Sequence, residues 1–489
     1  MVRSWLSHSW LRHCLVWLVA PALSAAVATR SEPSLDTLRA VIPPALRPEP
    51  NTVPEAGNAA RILGPLLERR WEQSPAVKSG LLSLSTWDKT IPATTEELSQ
   101  ARAWLAESWA TIEAARTAAA EPGCRFPSVA LTNSGNALVP LTQLGTGLLA
   151  DARERWRRGA RTEAVRELKD TLTLSSHITG GANTIVQYLV ASLIRRRSLD
   201  ALRAVARSPE MTATELKALD DVLARGSGEV APFRASLRRE LWDAVIPGCQ
   251  LENILPLLRL WGTNDVIWAV YPEDLRRPLE LMLDPKLLAS HPRPFDAERS
   301  AKQSVEYWTE VDRRAAAPWN PAPLPDDSET VREKFLADLA PLLEKLEDED
   351  LPLSDDAVAQ AAPLFAQVKD PMGRFMESLP NLTASAHARP FELATRWDAT
   401  RTTVAIRRWA LDHRGALPDT LQSLVTAGLL PELPLDRFSG APLRYAPARQ
   451  LLWSVGKNGR DDQGKSGTPG ETGNAPDDLL WPVQVGPAL

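Results

Sequence analysis

Phe391-Glu392-Leu393-Ala394-Thr395-Arg396-Trp397 opens a run, 391–413, whose continuation decides the fold. Leu393, Trp397, Val404, Ala405, Trp409 and Ala410 recur at helical spacing. Arg401, Arg407, Arg408, Asp412 and Arg414 lie mostly off that stripe. Gly415 is a helix stop, and Leu417-Pro418 keeps the helix from resuming at once. A short helix is expected over 420–427. Leu435-Asp436-Arg437-Phe438-Ser439-Gly440 then turns the chain into two strands, 443–446 and 451–455, set apart by Pro447-Ala448-Arg449-Gln450. Gly456 opens an Asp/Gly-rich loop, and Asp477-Asp478-Leu479-Leu480-Trp481 closes it.

This order of long helix, meander and late acidic loop resembles the C-terminal globular domain of the major pseudopilin of type II secretion systems, over residues 391 to 483. The resemblance implies a small α+β domain whose late loop binds calcium. Calcium takes 6 to 8 oxygens, from carboxylates and carbonyls together. Glycines let the chain fold around such an ion, and Gly456, Gly459, Gly464, Gly467, Gly470 and Gly473 supply bends. Lys457-Asn458-Gly459 stands where the family has Ala-Asp-Gly, so Asn458 replaces an acid with an amide. Asp477 and Asp478 fall at the family's closing acidic step, whereas Asp461 and Asp462 have no close counterpart. The loop is also longer than the family's and carries Lys465. The metal candidates are therefore Asn458, Asp461, Asp462, Asp477 and Asp478, with a solvated acidic loop as the alternative. The family's N-terminal fibre-forming helix has no equivalent at 1–40, so membership of a pseudopilus does not follow.

The other end carries an address. Arg3 and Arg12 precede and punctuate an apolar run to Ala28 that ends in Ala26-Val27-Ala28, the form of a secretory signal peptide over 1–28. The run is shorter than the roughly 20 residues a membrane span needs and contains Pro21. Export to the periplasm or the cell exterior is expected, with membrane contact only if the segment is kept as an anchor. Cleavage removes two arginines and no acid, moving the formal charge from −5 to −7. A mildly acidic chain without a basic stripe is a poor nucleic-acid binder. Arg195-Arg196-Arg197 reads as a solvated edge. Cys124 and Cys249 remain after cleavage, too few for a disulfide framework, and either pair or stay as lone buried thiols.

Between the two ends, residues 29–60 are Pro-rich and expected to be irregular, and from Ala59 onward the dominant period is helical. A helix is expected over 97–119, with Trp104 and Trp109 flanking its apolar face. A second spans 138–157, turning at Arg158-Gly159-Ala160-Arg161 into a third capped by Thr162, as an αα-hairpin. Gly159, Glu163, Ala164, Leu168, Thr171 and Leu172 resemble part of a tetratricopeptide repeat, without a clear 34-residue recurrence. Further helices are expected at 182–206, 212–225 and 231–246, together making an α-helical domain over 61–316. Residues 317–328 read as an extended Pro-rich linker. Helix resumes over 329–386, and 387–489 is the pseudopilin-like domain. The whole chain looks like uncharacterised exported helical bacterial proteins with such a tail.

Two motifs are decoys. Gly459-Arg460-Asp461-Asp462-Gln463-Gly464-Lys465-Ser466 matches the P-loop expression, but its aspartates would repel phosphates and no helix can follow it, so nucleotide binding is not expected. Gly145-x-Gly147-x-x-Ala150 lies inside a helix, where close packing explains it better than a dinucleotide. The histidines show no ligand spacing. Glu347 to Asp350 is a solvated charge run. The 17 tryptophans sit mostly among Leu and Ala and read as core; only Trp319, in the linker, has neighbours that do not explain it.

The fold class expected is mainly α, as packed and partly tetratricopeptide-like helical hairpins, with a small C-terminal α+β pseudopilin-like domain. The function expected is a non-enzymatic interaction or scaffold protein with a protein or peptide partner, calcium in its terminal loop being structural. The rival is a hydrolase of envelope or extracellular polymers, which would need two carboxylates about 5 to 9.5 Å apart beside exposed tryptophans.

Overall fold

Among the described residues, capping residues and punctuating prolines set off nineteen helices of six residues or more, followed by one small sheet. The structure is a computed structural model. It describes residues 33–50, 52–68, 71–126, 138–225, 231–262, 272–324, 328–378, 386–467 and 477–486. The signal segment 1–28 lies outside them, as do the break at Gly226-Ser227-Gly228 and the loop glycines Gly470 and Gly473. Among the described residues no helix is long and apolar enough to cross a membrane.

The helices are α1 Leu35–Ala40, α2 Ala60–Glu68, α3 Pro75–Ser85, α4 Thr95–Glu107, α5 Trp109–Ala120, α6 Leu138–Arg157, α7 Arg161–Gly181, α8 Ile185–Arg207, α9 Ala213–Arg225 and α10 Ala231–Glu240. After a π-helical turn at Leu241–Val245 come α11 Leu251–Gly262, α12 Arg276–Met282, α13 Pro285–Ser290, α14 Ala297–Ala316, α15 Ser328–Lys345, α16 Asp355–Phe365, α17 Pro371–Glu377, α18 Arg389–Asp412 and α19 Leu421–Thr426. Strands β1 Arg444–Ala446, β2 Leu451–Ser454 and β3 Leu479–Pro482 form an antiparallel sheet in the order β1-β2-β3. Tyr445 pairs with Leu452, and Leu452 with Trp481.

Helix α8 is the hub. It packs against α6, α7 and α18 at once. Gly145 explains how it comes so close to α6, since a Cβ there would stand 2.5 Å from Ile194 of α8; one on Gly147 would stand 3.3 Å from Trp104 of α4. Gly159, at φ +81°, makes the α6–α7 turn, a backbone region that L side chains rarely enter. Two large cores result. One gathers Leu141, Leu144, Ile178 and Ile194 against α2–α5, and the other gathers Phe233, Leu279, Phe335 and Phe375 of the later helices. Cys124 lies in the first and Cys249 in the second, and both are free, buried thiols whose pKa burial pushes up to about 12.

Several expectations change. Residues 29–60 are not wholly irregular, because Ser34 caps α1 by accepting the Thr37 N–H. The helix expected over 97–119 breaks at Ser108, which lies between α4 and α5. Thr162 is not a cap: α7 starts one residue earlier, with Ala160 in the cap position. A third strand, β3, joins the two expected. Its sequence, Leu479-Leu480-Trp481-Pro482, has no alternation and becomes a strand by pairing with β2.

Candidate functional site

The C-terminal unit is built around one buried carboxylate. Asp436 follows the turn from α19 and lies wholly out of solvent. Its Oδ1 accepts the Ser454 hydroxyl (2.8 Å) and the Phe438 N–H (3.0 Å). Its Oδ2 accepts the Val455 N–H (3.0 Å), the Ser439 hydroxyl (3.1 Å) and Arg444 Nη1 (3.3 Å). Five donors from three segments therefore converge on one side chain. That is a clasp of the sheet, with no lone pair directed outward, and the Leu435–Gly440 step exists to supply it.

The five metal candidates are brought together in the loop beyond β2, but most of their oxygens face N–H groups. Asp478, itself buried, accepts the N–H groups of Asp462 (3.2 Å) and Gly464 (2.7 Å). Asp477 Oδ2 accepts the Lys457 N–H (2.9 Å). Asp462 Oδ2 accepts the Asn458 amide (2.9 Å) and the Asp477 N–H (3.0 Å), which together hold its carboxyl below the usual range. Asp461 turns back toward the sheet, taking Trp453 Nε1 (3.0 Å), the Gln463 N–H (2.9 Å) and Arg444 Nε (3.2 Å). Asn458 Oδ1 accepts the Arg460 N–H. Asn458 donates to Asp462 and accepts from Arg460, so its amide ties the loop back on itself. Among the described residues, Asp462 Oδ1 and Asp477 Oδ1 are the carboxylate oxygens of this set that take none of these bonds. These two are fewer carboxylate oxygens than the 6 to 8 oxygens, carbonyls included, that calcium takes.

Helix α18 joins this unit to the helical body. Trp397 and Val404 enter the core formed with α6–α9, while Ala399, Ala405 and Ile406 face the sheet side. Glu392 accepts Arg389 (2.8 Å) and Arg396 (2.9 Å) and lies 3.6 Å from Arg196. Burial works against its ionisation, but the three guanidiniums hold its carboxyl at about 2. Asp200 of α8 pairs with Arg203 and Arg396, Arg203 Nη1 donates to Thr400, and Asp220 of α9 pairs with Arg401 and Arg408. Arg195-Arg196-Arg197 is therefore not a solvated edge. Arg195 is buried over Trp397, Arg196 faces Glu392, and Arg197 reaches Thr146 and Ser85.

The Pro-rich segment after α14 is no free spacer over its described part. Trp319 stacks on His387 (5.0 Å between ring centroids), and meets Phe391 (5.3 Å) and Phe438 (5.2 Å). Its neighbours in sequence could not explain it because its partners lie just before α18, in α18 and beyond.

No family model, curated protein or solved structure matches the chain.

Elsewhere the acids are held by arginines. Arg116 of α5 binds Glu113 (2.6 Å), Asp151 (2.8 Å) and Glu167 (2.5 Å), and Arg155 shares Asp151. Burial pushes Glu167 up to about 7 against the pull of Arg116. Trp109 beside them is 47% exposed and lies under the Arg116 and Arg155 guanidiniums, so it is not the core residue expected. Asp312 is held by Arg234 and Arg238, and Arg299 binds Asp370 and Glu377. Glu347 to Asp350 are exposed, as expected of a solvated run. His291 bonds the Val368 carbonyl, and His413 stacks on Trp409; among the described residues no group of three or more His, Cys, Asp or Glu is placed to hold a metal. The sequence showed these acids but not most of their arginines: apart from the Arg116–Glu113 and Arg155–Asp151 pairs within one helix, the partners lie 35 to 78 positions away.

Proposed function

We propose that this protein is an exported, non-enzymatic interaction protein: a body of helical hairpins carrying a pseudopilin-like terminal module. The observation that carries the reading is how seven buried or half-buried acids at the helix contacts are held. Glu154, Glu167, Asp200, Asp220, Asp312, Asp370 and Glu392 each bind an arginine on a neighbouring helix. Such clamps orient helices, and a carboxylate held by a guanidinium is a poor general acid or base. The order of α18, β1, β2 and acidic loop supports the pseudopilin-like reading of the module, and the short turn between α6 and α7 supports hairpin packing of the tetratricopeptide kind. Stacked hairpins offer surfaces suited to a protein or peptide partner, a fold-level analogy. The donor geometry of the loop supports a module held together without calcium, and the signal-like segment supports export.

The hydrolase reading keeps one observation in its favour: Glu167, pushed up to about 7, and Asp151 share Arg116 beside exposed Trp109. Incubating the full-length protein with peptidoglycan and with envelope polysaccharide separates the two readings. No released product is expected. Product release abolished by Glu167→Gln or Asp151→Asn would overturn the interaction reading.

A further inference from the structure

The loop that follows α3 carries one acid up to a cluster of guanidiniums from two helices. Asp88 is exposed, and among the described residues its carboxylate takes no hydrogen bond and no ion pair. It faces Arg153 of α6 and Arg197, Arg203 and Arg207 of α8, all beyond ion-pair distance. Arg203 is matched, since it pairs with Asp200 and donates to Thr400 (2.9 Å). The other three are not, and among the described residues none of them forms an ion pair. Arg153 donates to the Thr86 carbonyl and lies over the Trp87 ring at 5.6 Å. Arg197 donates to the hydroxyls of Thr146 (3.0 Å) and Ser85, and Arg207 donates to the Gln484 carbonyl (3.2 Å).

All three are half-buried, and a guanidinium drawn out of water is costly unless an anion meets it. Burial lowers the basicity of each, that of Arg197 to about 10. The other acids nearby are engaged. Asp200, which faces Arg197, binds Arg203 and Arg396 and also faces Arg196. Glu154, which faces Arg153, binds Arg102 (2.9 Å) and Arg157 (3.5 Å), and Arg157 adds a like charge beside Arg153. Three guanidiniums without an ion pair are thus left with one unengaged carboxylate. Asp88, Lys89 and Thr90 are exposed, so the cluster is open to water on the loop side.

We propose that this cluster binds a phosphate monoester, its phosphoryl oxygens meeting Arg153, Arg197 and Arg207 where Asp88 faces but does not reach them. Asp88 is then a built-in competitor for the anion. Forked, planar guanidiniums match phosphate oxygens, and a dianion suits three of them less one aspartate. Two of the three are already oriented: Arg153 by Trp87, whose indole N–H is fixed on the Leu149 carbonyl (3.2 Å), and Arg197 by its two hydroxyls. A soluble glycerol or sugar phosphate and the headgroup of phosphatidic acid share this chemistry. The site does not depend on the interaction reading above, since it uses none of the surfaces that reading invokes.

Titration calorimetry on the full-length protein tests it at constant ionic strength and about pH 8, where a monoester is dianionic. The probes are glycerol 3-phosphate, acetate, and phosphatidylcholine vesicles with and without phosphatidic acid. Glycerol 3-phosphate, the phosphatidic acid vesicles or both should bind, and acetate and plain vesicles should not. The tighter of the two names a soluble or a lipid source. Arg207→Gln should weaken binding about tenfold, the loss of one charge-assisted hydrogen bond. Asp88→Asn should tighten it about fivefold by removing the competing charge, an effect that a merely structural cluster would not show. Asp88 makes no bond to lose, so this variant should melt as the native protein does, and it decides alone if Arg207→Gln fails to fold. No heat from either phosphate probe at roughly 10 mM, acetate bound as well as phosphate, no gain in Asp88→Asn, or no loss in a folded Arg207→Gln would each overturn the assignment.

Discussion

The indole N–H of Trp319 donates to the backbone carbonyl of Lys457 at 2.9 Å, across 138 positions of sequence. This bond, with the stacking on His387 and the edge of Phe438, straps the Pro-rich segment over the joint between α18 and the sheet. Trp319→Ala should therefore cost about 2 kcal/mol and open 317–324 to limited proteolysis, whereas Trp319→Phe, keeping most ring contacts, should cost about 1 kcal/mol. Denaturant unfolding of the two variants checks this. A change below about 0.5 kcal/mol for the alanine variant would return the segment to a free spacer.

Asp436 predicts a larger loss. Asp436→Asn keeps the shape but replaces one acceptor oxygen by an amide that faces donors, leaving Arg444 and at least one buried N–H or hydroxyl unmatched. A cost of about 3 kcal/mol or more is expected, read as a fall in thermal midpoint. Asp461→Asn, in a more exposed part of the loop, should cost about 1 kcal/mol or less.

Stability should depend on pH through Glu240. Its carboxylate accepts the Ile185 N–H (2.5 Å) at the start of α8, and burial pushes its pKa from 4.5 up to about 7. An acid with a raised folded value binds more protons folded than unfolded. Its stabilising protonated form is fully present below 4.5 and is lost as pH rises through 7. The effect is on the order of 3 kcal/mol. Glu240→Gln should flatten the melting temperature between pH 5 and pH 7.5 and exceed the native protein at the upper end. A native-like slope in that variant would assign the dependence to other groups.

The loop predicts indifference to calcium. Full-length protein in EDTA, in millimolar calcium and in millimolar magnesium should melt within about 1 °C of one another. An ion at 100 times its Kd would add about 2.7 kcal/mol. A calcium-specific rise lost in Asp462→Asn or Asp477→Asn would instead place the ion on the two oxygens left out of the hydrogen-bonded network.

What was legible in the sequence was whatever local physics decides. The period of 391–413, the stop at Gly415 and the turn at 447–450 fixed α18, β1 and β2 within a residue or two, because caps and prolines act over a few positions. β3 was illegible because its strand character comes from β2. Arg195-Arg196-Arg197 read as surface because composition cannot show Glu392, which arrives on α18 nearly 200 positions later. That Asn458, Asp461, Asp462, Asp477 and Asp478 belong to one loop was legible only through the resemblance and the loop's acidic, glycine-rich composition. Which way their oxygens turn was not, since the backbone N–H groups that decide it have no letter of their own.

The chain's end is tied to its middle: Gly486 donates its N–H to the Arg207 carbonyl, and Arg207 Nε donates to the Gln484 carbonyl, 277 positions on. During synthesis the hub helix α8 is finished long before α18 and the terminal strand that cover its arginines exist. At 5–20 residues per second that interval is roughly 14–55 s. A nascent chain in this condition holds half-built ion networks open for the whole of that time. Residues 484–486 thus act as a closing latch, so the hub cannot reach its final packing until they are present.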